Sequence, residues 1–245
     1  MTRWPTDLQT VVVRLNTRHL LQKGFTLIEL LIAITLMAVI AGLSWRGIDG
    51  LMRTRDVTQS RVNQVAVVQT VLAQWQADLD ALQTSNVSVS GLQWDGRVLR
   101  MVRRASNWRA DGSDPGLWVV GWTRRAVGTG DNSNGQWVRW QSPNIQDATQ
   151  LKDAWAQAEQ WGQNRSDNDT LRETPLLPLL QWQITYFRGN AWTNPLSSAD
   201  GKSNDTNNAE LPDAIRLQVD LPDSTGVNGR LTLDWVRPNF SNTKS

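Results

Sequence analysis

One uninterrupted apolar stretch dominates the amino-terminal part of the chain. Residues 25–43 contain a single ionisable side chain, Glu29, which lies near one end of the stretch. At about 1.5 Å rise per residue, a helix of this length is roughly 28 Å long, close to the ~30 Å hydrocarbon core of a bilayer. A carboxylate costs about 2.5–3.5 kcal/mol at the centre of such a helix. The pattern therefore predicts a membrane-crossing segment, and the energetic cost of its one acidic residue indicates that Glu29 has a specific function.

The apolar stretch passes into an amphipathic one without a clear break. Apolar residues at alternating steps of three and four predict one stripe of a long helix over residues 44–84. The stripe consists of Ile48, Leu51, Val62, Val65, Val68, Leu72, Trp75, Leu79 and Leu82. Asp78 and Asp80 are expected to be solvated residues of this stem.

The hydrophobic period changes to two after residue 84. Residues 93–98 predict a β-hairpin with a type I′ turn at Asp-Gly, and residues 142–160 predict a short helix capped by Ser142. Further strands are predicted at 116–124, 136–141, 180–188, 214–221 and 230–237. If these strands form an antiparallel sheet that packs on the stem helix, the sheet and the helix bury each other's apolar faces. The expected fold class is therefore α+β, with a β-rich domain over residues 85–245.

A short motif marks the start of the apolar stretch. It reads Lys23-Gly24-Phe25, followed by Thr-Leu-Ile and then Glu29. This junction resembles the type IV prepilin signal of bacterial pilins and type II secretion pseudopilins. The resemblance implies that residues 1–24 are a leader, which prepilin peptidase removes by cutting between Gly24 and Phe25. It further implies methylation of the new Phe25 amine and assembly of the mature helix into a filament.

The same resemblance implies an architecture and a location. Pilin-like proteins have a long amino-terminal helix, half in the membrane and half amphipathic, packed on antiparallel β-sheet. The chain would be a single-pass protein of the bacterial inner membrane with its carboxy-terminal domain in the periplasm. It would be a filament subunit and not an enzyme.

Glu29 has a physical role in such a filament. In a bundle of apolar helices its carboxylate can pair with the Phe25 ammonium of a neighbouring subunit. Both charges are compensated only when the subunits are in register, so the pair would fix register more than it would add stability.

The apolar stretch is also compatible with two simpler roles. An ordinary secretory signal with a small-residue cleavage site at Val39-Ile40-Ala41 would release a protein that begins at Gly42. A plain membrane anchor is the second. Two features argue against these roles: the stretch is longer than the apolar core of an ordinary secretory signal, and it contains the acidic residue Glu29.

Two later segments are similar to the J-type minor pseudopilin of type II secretion. Residues 45–82 contain an Arg-Gly-Ile-Asp block and an acidic, Leu-rich end. Residues 176–194 and 210–221 contain the second set: Phe187, Gly189, Trp192, Leu211-Pro212 and the strand at Ile215–Leu221. The resemblance implies I-type and K-type minor pseudopilins and the major pseudopilin as partners. A minor pilin of a type IV pilus or uptake filament is the alternative within the class.

Composition limits the remaining function classes. The chain has no cysteine, and its one histidine, His19, lies in the leader. Ser-His-Asp and Cys-His catalysis and zinc sites of the usual nitrogen and sulfur type are thereby excluded for the processed chain. Carboxylate-pair and Ser-Lys chemistry remain formally open. Without residues 1–24 the chain holds 21 basic and 22 acidic side chains, so a nucleic-acid partner is not expected.

Fourteen tryptophans against one tyrosine are unusual. Exposed tryptophans can bind sugars, so a membrane-tethered carbohydrate-binding module is a second alternative from another class. Tryptophan is more often part of a core, and we expect most of these residues to be structural.

Two Asp/Asn-rich stretches offer oxygen ligands of the kind that calcium prefers. They are residues 167–169 and 200–213, and the candidate ligands in the second are Asp200, Asp205 and Asn207. Neither stretch has EF-hand spacing, and surface loops have the same composition. We therefore expect no cofactor, with calcium as the open alternative.

Overall fold

The computed structural model describes residues 24–84, 89–106, 115–127, 135–164, 166–197 and 211–238. The chain divides into two compact units between Arg55 and Asp56. The first helix, α1 (Leu27–Asp80), begins in the first unit and ends in the second.

The first unit is helical from Leu27 onward, and every described side chain in it is exposed. The helix is continuous through Gly42, Gly47 and Gly50, where the sequence weakens it. Its amino-terminal part is long and apolar enough to cross a membrane. The predicted membrane-length helix is therefore present.

The second unit contains two antiparallel sheets among the residues that the structure describes. Sheet A has the order β1-β2-β3-β4-β5, and sheet B has the order β7-β6-β8-β9. The strands of sheet A are β1 (Leu92–Trp94), β2 (Val98–Arg104), β3 (Leu117–Ala126), β4 (Gly135–Gln141) and β5 (Glu173–Leu179). Those of sheet B are β6 (Gln181–Arg188), β7 (Ala191–Thr193), β8 (Ala214–Leu221) and β9 (Gly229–Val236).

A second helix, α2 (Ala148–Gln163), lies between β4 and β5 in the chain. Asp147 is its N-cap, and the Asp147 carboxylate accepts hydrogen bonds from the backbone N–H groups of Thr149 and Gln150. Two short 3₁₀ helices, Asp167–Leu171 and Asp223–Thr225, complete the regular structure of the described part.

The main core joins the end of α1 to both sheets. The buried face of α1 consists of Val68, Val71, Trp75 and Leu79, with Asp78 beside them. Five indole rings form its centre, with ring centroids of neighbours 4.7–6.5 Å apart. This tryptophan cluster consists of Trp75 from α1, Trp94, Trp122 and Trp137 from sheet A, and Trp182 from sheet B. Such edge-to-face and tilted pairs contribute about 0.5–1.5 kcal/mol each beyond the area they bury.

The opposite face of sheet A is covered by α2. Alternate residues of a strand point to opposite faces, so Val98 and Val102 of β2 pack on α2 while their neighbours pack on the main core. Trp140 of β4 stacks on Trp161 of α2 with ring centroids 6.2 Å apart. Sheet A is therefore buried on both faces, and its strands are correspondingly apolar.

The α+β, pilin-like arrangement predicted from the sequence is confirmed: a long amino-terminal helix is followed by antiparallel sheets. The predicted strands all occur, and the bounds of β8 are those predicted. The predicted short helix also occurs. It begins after Asp147 and not at Ser142, whose hydroxyl instead accepts a hydrogen bond from Val119 N–H at 3.0 Å.

The predicted type I′ turn was placed wrongly. Such a turn needs positive φ at both central residues, and in the β1–β2 turn only Gly96 has it, at 91°. There the Asp95 carboxylate accepts from the N–H groups of Arg97 and Val98, both at 2.8 Å. Positive φ at two successive residues occurs instead in the two-residue β6–β7 turn, at Gly189 (55°) and Asn190 (67°).

Candidate processing and assembly site

The amino-terminal end of α1 has a defined start. Gly24, Phe25 and Thr26 are non-helical, and the helix begins at Leu27. The predicted cleavage bond between Gly24 and Phe25 therefore lies outside the helix. The Phe25 side chain is 90% exposed, so no neighbouring part of the described chain covers this end.

Thr26 and Glu29 form a reciprocal cap at that start. The Glu29 carboxylate atom Oε2 accepts hydrogen bonds from the Thr26 backbone N–H and from the Thr26 hydroxyl, both at 3.0 Å. The Thr26 hydroxyl in turn accepts from the Glu29 backbone N–H at 3.3 Å. This is a capping box, in which a threonine before the first helical residue and a glutamate three positions later satisfy each other's orphan N–H groups.

The capping box gives Glu29 a second role that the sequence interpretation missed. A threonine three residues before a glutamate, just ahead of an apolar run, is itself a sequence signature of a helix start. The carboxylate also lies in the first turn, where the helix dipole favours negative charge. An acidic residue at this point is therefore stabilised locally within its own chain.

The prediction that Asp78 is solvated is wrong. Asp78 is fully buried, and it accepts hydrogen bonds from four side chains. Arg139 donates through Nε at 2.7 Å and through Nη2 at 2.9 Å, Trp122 donates through Nε1 at 2.9 Å, and Gln74 donates through Nε2 at 2.9 Å. Arg103 Nη1 is the remaining donor. A buried carboxylate is tolerated when it is paired and fully hydrogen-bonded, as here.

Asp80 is exposed, as predicted, and also links α1 to sheet B. Its Oδ1 accepts a hydrogen bond from the buried Trp235 indole N–H at 2.8 Å. The last turn of α1 is thus tied to sheet A through Asp78 and to sheet B through Asp80. The two carboxylates fix the rotation of the helix on the domain, which apolar contacts alone specify less sharply.

The predicted apolar stripe on the stem is only partly buried. Val68, Trp75 and Leu79 are buried as predicted, whereas Val62 is 55% exposed and Val65 is half-buried. Val71, which the stripe omitted, is buried. The part of the stem that packs on the domain therefore begins near Gln64, and the preceding turns of the second unit are exposed.

The principal calcium candidates, Asp200, Asp205 and Asn207, lie outside the described residues. In the other stretch, Asp169 caps the 3₁₀ helix: its Oδ2 accepts from the Ser166 N–H at 3.0 Å and the Ser166 hydroxyl at 2.7 Å. Within the described ranges no group of three or more acidic, histidine or cysteine side chains is placed to hold a metal.

Most tryptophans serve the core. Of the twelve in the described part of the chain, seven are buried and three are half-buried. The two exposed ones are Trp45 on α1 and Trp192 on β7, at 76% and 38%. Arg216 covers one face of the Trp192 ring, with its guanidinium carbon 4.2 Å from the ring centroid. The described residues thus show no row of exposed rings of the kind that binds sugar chains.

The fold indicates the class of protein. A membrane-length helix that continues into an α+β domain is a pilin-like arrangement. Comparison with known families agrees, since residues 20–45 match the prokaryotic N-terminal methylation motif. The match spans Gly24, Phe25, Thr26 and Glu29, and it supports a type IV prepilin-like protein. No curated protein matches the chain.

Proposed function

We propose that this protein is a minor pseudopilin of type II protein secretion, of the J type. It would assemble with other minor pseudopilins at the pseudopilus tip and support the export of folded proteins. The methylation motif at residues 20–45, together with α1, which runs from that motif into a pilin-like domain, supports the prepilin-like part of the proposal. The J-type part rests on the resemblance of residues 45–82 and of the segment around Phe187 and Trp192 to that family. The role is structural, since prepilin-like proteins are filament components and not enzymes.

Processing is the first step of the proposed function. Prepilin peptidase cuts between Gly24 and Phe25, and the Phe25 amine is then methylated. The non-helical backbone at Gly24–Thr26 supports this assignment, because a protease binds its substrate extended and a helical peptide bond would first have to unwind. The capping box at Thr26 holds the helix start two residues after the bond.

Assembly is the second step, and in it Glu29 binds a neighbouring subunit. After cleavage Phe25 bears an ammonium group, and a neighbouring subunit in register brings this charge to the Glu29 carboxylate. In the free subunit the same carboxylate is bound by its own Thr26. The inter-subunit pair therefore competes with a local cap of neutral donors, and charge assistance favours the pair in an apolar bundle.

The proposed setting is the bacterial inner membrane, with the domain after α1 in the periplasm. The I-type and K-type minor pseudopilins and the major pseudopilin are the proposed partners, and prepilin peptidase is the processing enzyme. Apolar helices bundle from Phe25 onward, while the domain offers a lateral surface to its neighbours.

Co-purification tests this proposal. The full chain is co-expressed with the I-type and K-type subunits of the same genome, extracted in mild detergent and sized by chromatography with light scattering. We expect a defined heteromer that contains the I-type subunit. If the chain associates instead with the minor pilins of a type IV pilus or uptake filament, the alternative within the class is correct. If it associates with neither, the tip-complex role is wrong, although the methylation motif stands.

A further inference from the structure

We propose that residues 45–55 form a binding site for the phosphate groups of anionic phospholipids at the membrane surface. We call this stretch the interfacial segment. The proposal rests on the membrane insertion that is part of the proposed function, and it lies entirely within the first compact unit.

The position of the segment follows from helix geometry. Residues 25–43 fill the hydrocarbon core, and each polar layer of a bilayer adds roughly 5–8 Å beyond it. At about 1.5 Å per residue, Trp45 and Arg46 lie within that layer. Arg53 and Arg55 lie roughly 15–18 Å from the hydrocarbon edge, outside the layer but within about a Debye length of it, so they attract the phosphates at longer range while Arg46 contacts them. The helix is continuous over the whole segment, so these distances are fixed along its axis.

The segment carries a positive charge. It contains Arg46, Arg53 and Arg55 against Asp49, a formal charge of +2. Arg53 Nη2 pairs with Asp49 Oδ2 at 3.1 Å. In the described part of the chain Arg46 and Arg55 form no ion pair, and both are exposed. Two guanidinium groups are therefore available to an external anion.

The helix aims these cations at the membrane. Side chains on an α-helix tilt toward its amino terminus, which here is the membrane side. The Arg53–Asp49 pair shows this direction, because the guanidinium reaches back one turn. A long arginine side chain displaced in this way brings its head toward lipid phosphates while its stem stays along the helix.

The apolar side of the segment fits the same layer. Trp45, Ile48 and Met52 follow steps of three and four and are 76%, 50% and 60% exposed. Tryptophan is enriched at the boundary between hydrocarbon and headgroups. A face of apolar residues beside cationic ones, continuous with a membrane span, matches a surface of acyl chains edged by phosphates.

Charge complementarity favours lipid over a protein occupant. An anionic surface attracts a nearby lysine or arginine by about five-fold in affinity for each side chain. Within residues 45–55 the only acidic residue is Asp49, which is paired with Arg53. A neighbouring protein helix is the competing occupant, and the experiment distinguishes it.

The absence of cysteine makes a clean test possible. Gly42→Cys and Gly47→Cys each add a side chain where nothing lies within 4 Å of the new Cβ. Each variant of the full chain is labelled with a small fluorophore and placed in vesicles of equimolar phosphatidylethanolamine and phosphatidylglycerol. Only one of the two lipids carries brominated, quenching acyl chains at a time. The label at position 42 reports insertion, and the label at position 47 reports which lipid surrounds the interfacial segment.

We expect phosphatidylglycerol to be preferred at position 47 by at least about three-fold at low salt, with the preference weakened by high salt. Arg46→Gln with Arg55→Gln should bring the ratio near one, since it removes both free cations and keeps the Arg53–Asp49 pair. The matched control, Arg97→Gln with Arg104→Gln, removes two exposed arginines of the second unit and should leave the preference unchanged.

Three results would overturn the inference. Quenching at position 42 by both lipids with a ratio of one at position 47 would leave membrane insertion standing and remove the lipid site. Quenching at position 47 that is lost when partner subunits are added, with no lipid preference beforehand, would assign the face to protein. No quenching at position 42 would remove the membrane insertion in the proposed function and the inference with it.

Discussion

Asp78 and Arg139 form a two-pronged ion pair between helix α1 and sheet A. Arg139 Nε lies 2.7 Å from Asp78 Oδ2, and Arg139 Nη2 lies 2.9 Å from Asp78 Oδ1. Arg103 joins the same carboxylate from the neighbouring part of the sheet. The pair therefore fixes the rotation of the last turns of α1 about the helix axis, relative to sheet A.

Asp78→Asn is expected to lower the free energy of unfolding by about 3–5 kcal/mol. The substitution keeps the shape of the side chain but leaves two arginines with little solvent access and no counter-charge. Urea denaturation of the full chain in detergent, followed by tryptophan fluorescence, measures the change. Asp80→Asn is the control, because Asp80 is exposed and accepts one bond from Trp235; it should cost about 1 kcal/mol. Equal effects of the two substitutions would contradict the central role of Asp78.

Thr26→Ala is expected to fray the start of α1. The substitution removes the side-chain half of the capping box, which is worth about 0.5–2 kcal/mol of helix stability. Thr26→Ser keeps a hydroxyl at the same place and serves as the control. Hydrogen exchange of the amides in the first turn should be several-fold faster in the alanine variant and near wild type in the serine variant. Unchanged exchange in both would show that the cap does not hold the helix start.

Glu29→Ala and Glu29→Gln separate the two roles of this side chain. Glutamine can complete a capping box but carries no charge, so Glu29→Gln should keep the helix start ordered and yet impair assembly. Glu29→Ala should lose both. Cleavage after Gly24 should persist in each, which immunoblotting of the processed chain would check. Normal filament incorporation of the glutamine variant would remove the register role.

Two ion pairs on the outer face of sheet B give a mild dependence of stability on pH. The hydrogen bond from Arg216 lowers the pKa of Asp234, and the hydrogen bond from Arg230 lowers the pKa of Asp220. A carboxyl with a depressed folded-state pKa stabilises the fold fully above its unfolded value of about 3.9, and that stabilisation is lost as pH falls through the folded-state pKa.

We therefore expect the stability of the domain to fall below about pH 4, with a shallow slope because both pairs are partly exposed and screened by solvent. Asp220→Asn with Asp234→Asn should flatten this part of the curve. Thermal unfolding measured between about pH 3 and pH 6 would check it. An equally steep loss in the double variant would assign the acid sensitivity to other carboxylates.

Alternation of apolar and polar residues along the chain predicted the strands that have one buried face and one exposed face. In β8 the buried and partly exposed residues alternate cleanly from Ile215 onward, and its predicted bounds are those observed. Strand β5 was missed because it contains Pro175 and Pro178, which argue against a strand. It is an edge strand of sheet A, where a residue that lacks an N–H group is tolerated.

Tertiary contacts explain what the sequence could not predict at Asp78. Its neighbours in the chain are stem residues, so a solvated position was the natural expectation. The partners that permit its burial, Arg103 and Arg139, lie 25 and 61 residues away in the chain. The cap at Thr26 and Glu29 is the opposite case, because its signature is local and was available in the sequence.

The mass of the amino-terminal peptide, measured on the protein purified from its native membrane, tests the prepilin-like assignment most directly. We expect a mature chain that begins at Phe25 and carries a methyl group on its amine. In Gly24→Ala the leader should be retained or cut much more slowly, since the cleavage motif is broken. A chain that begins at Gly42, or a wild-type chain that keeps residues 1–24, would contradict the assignment.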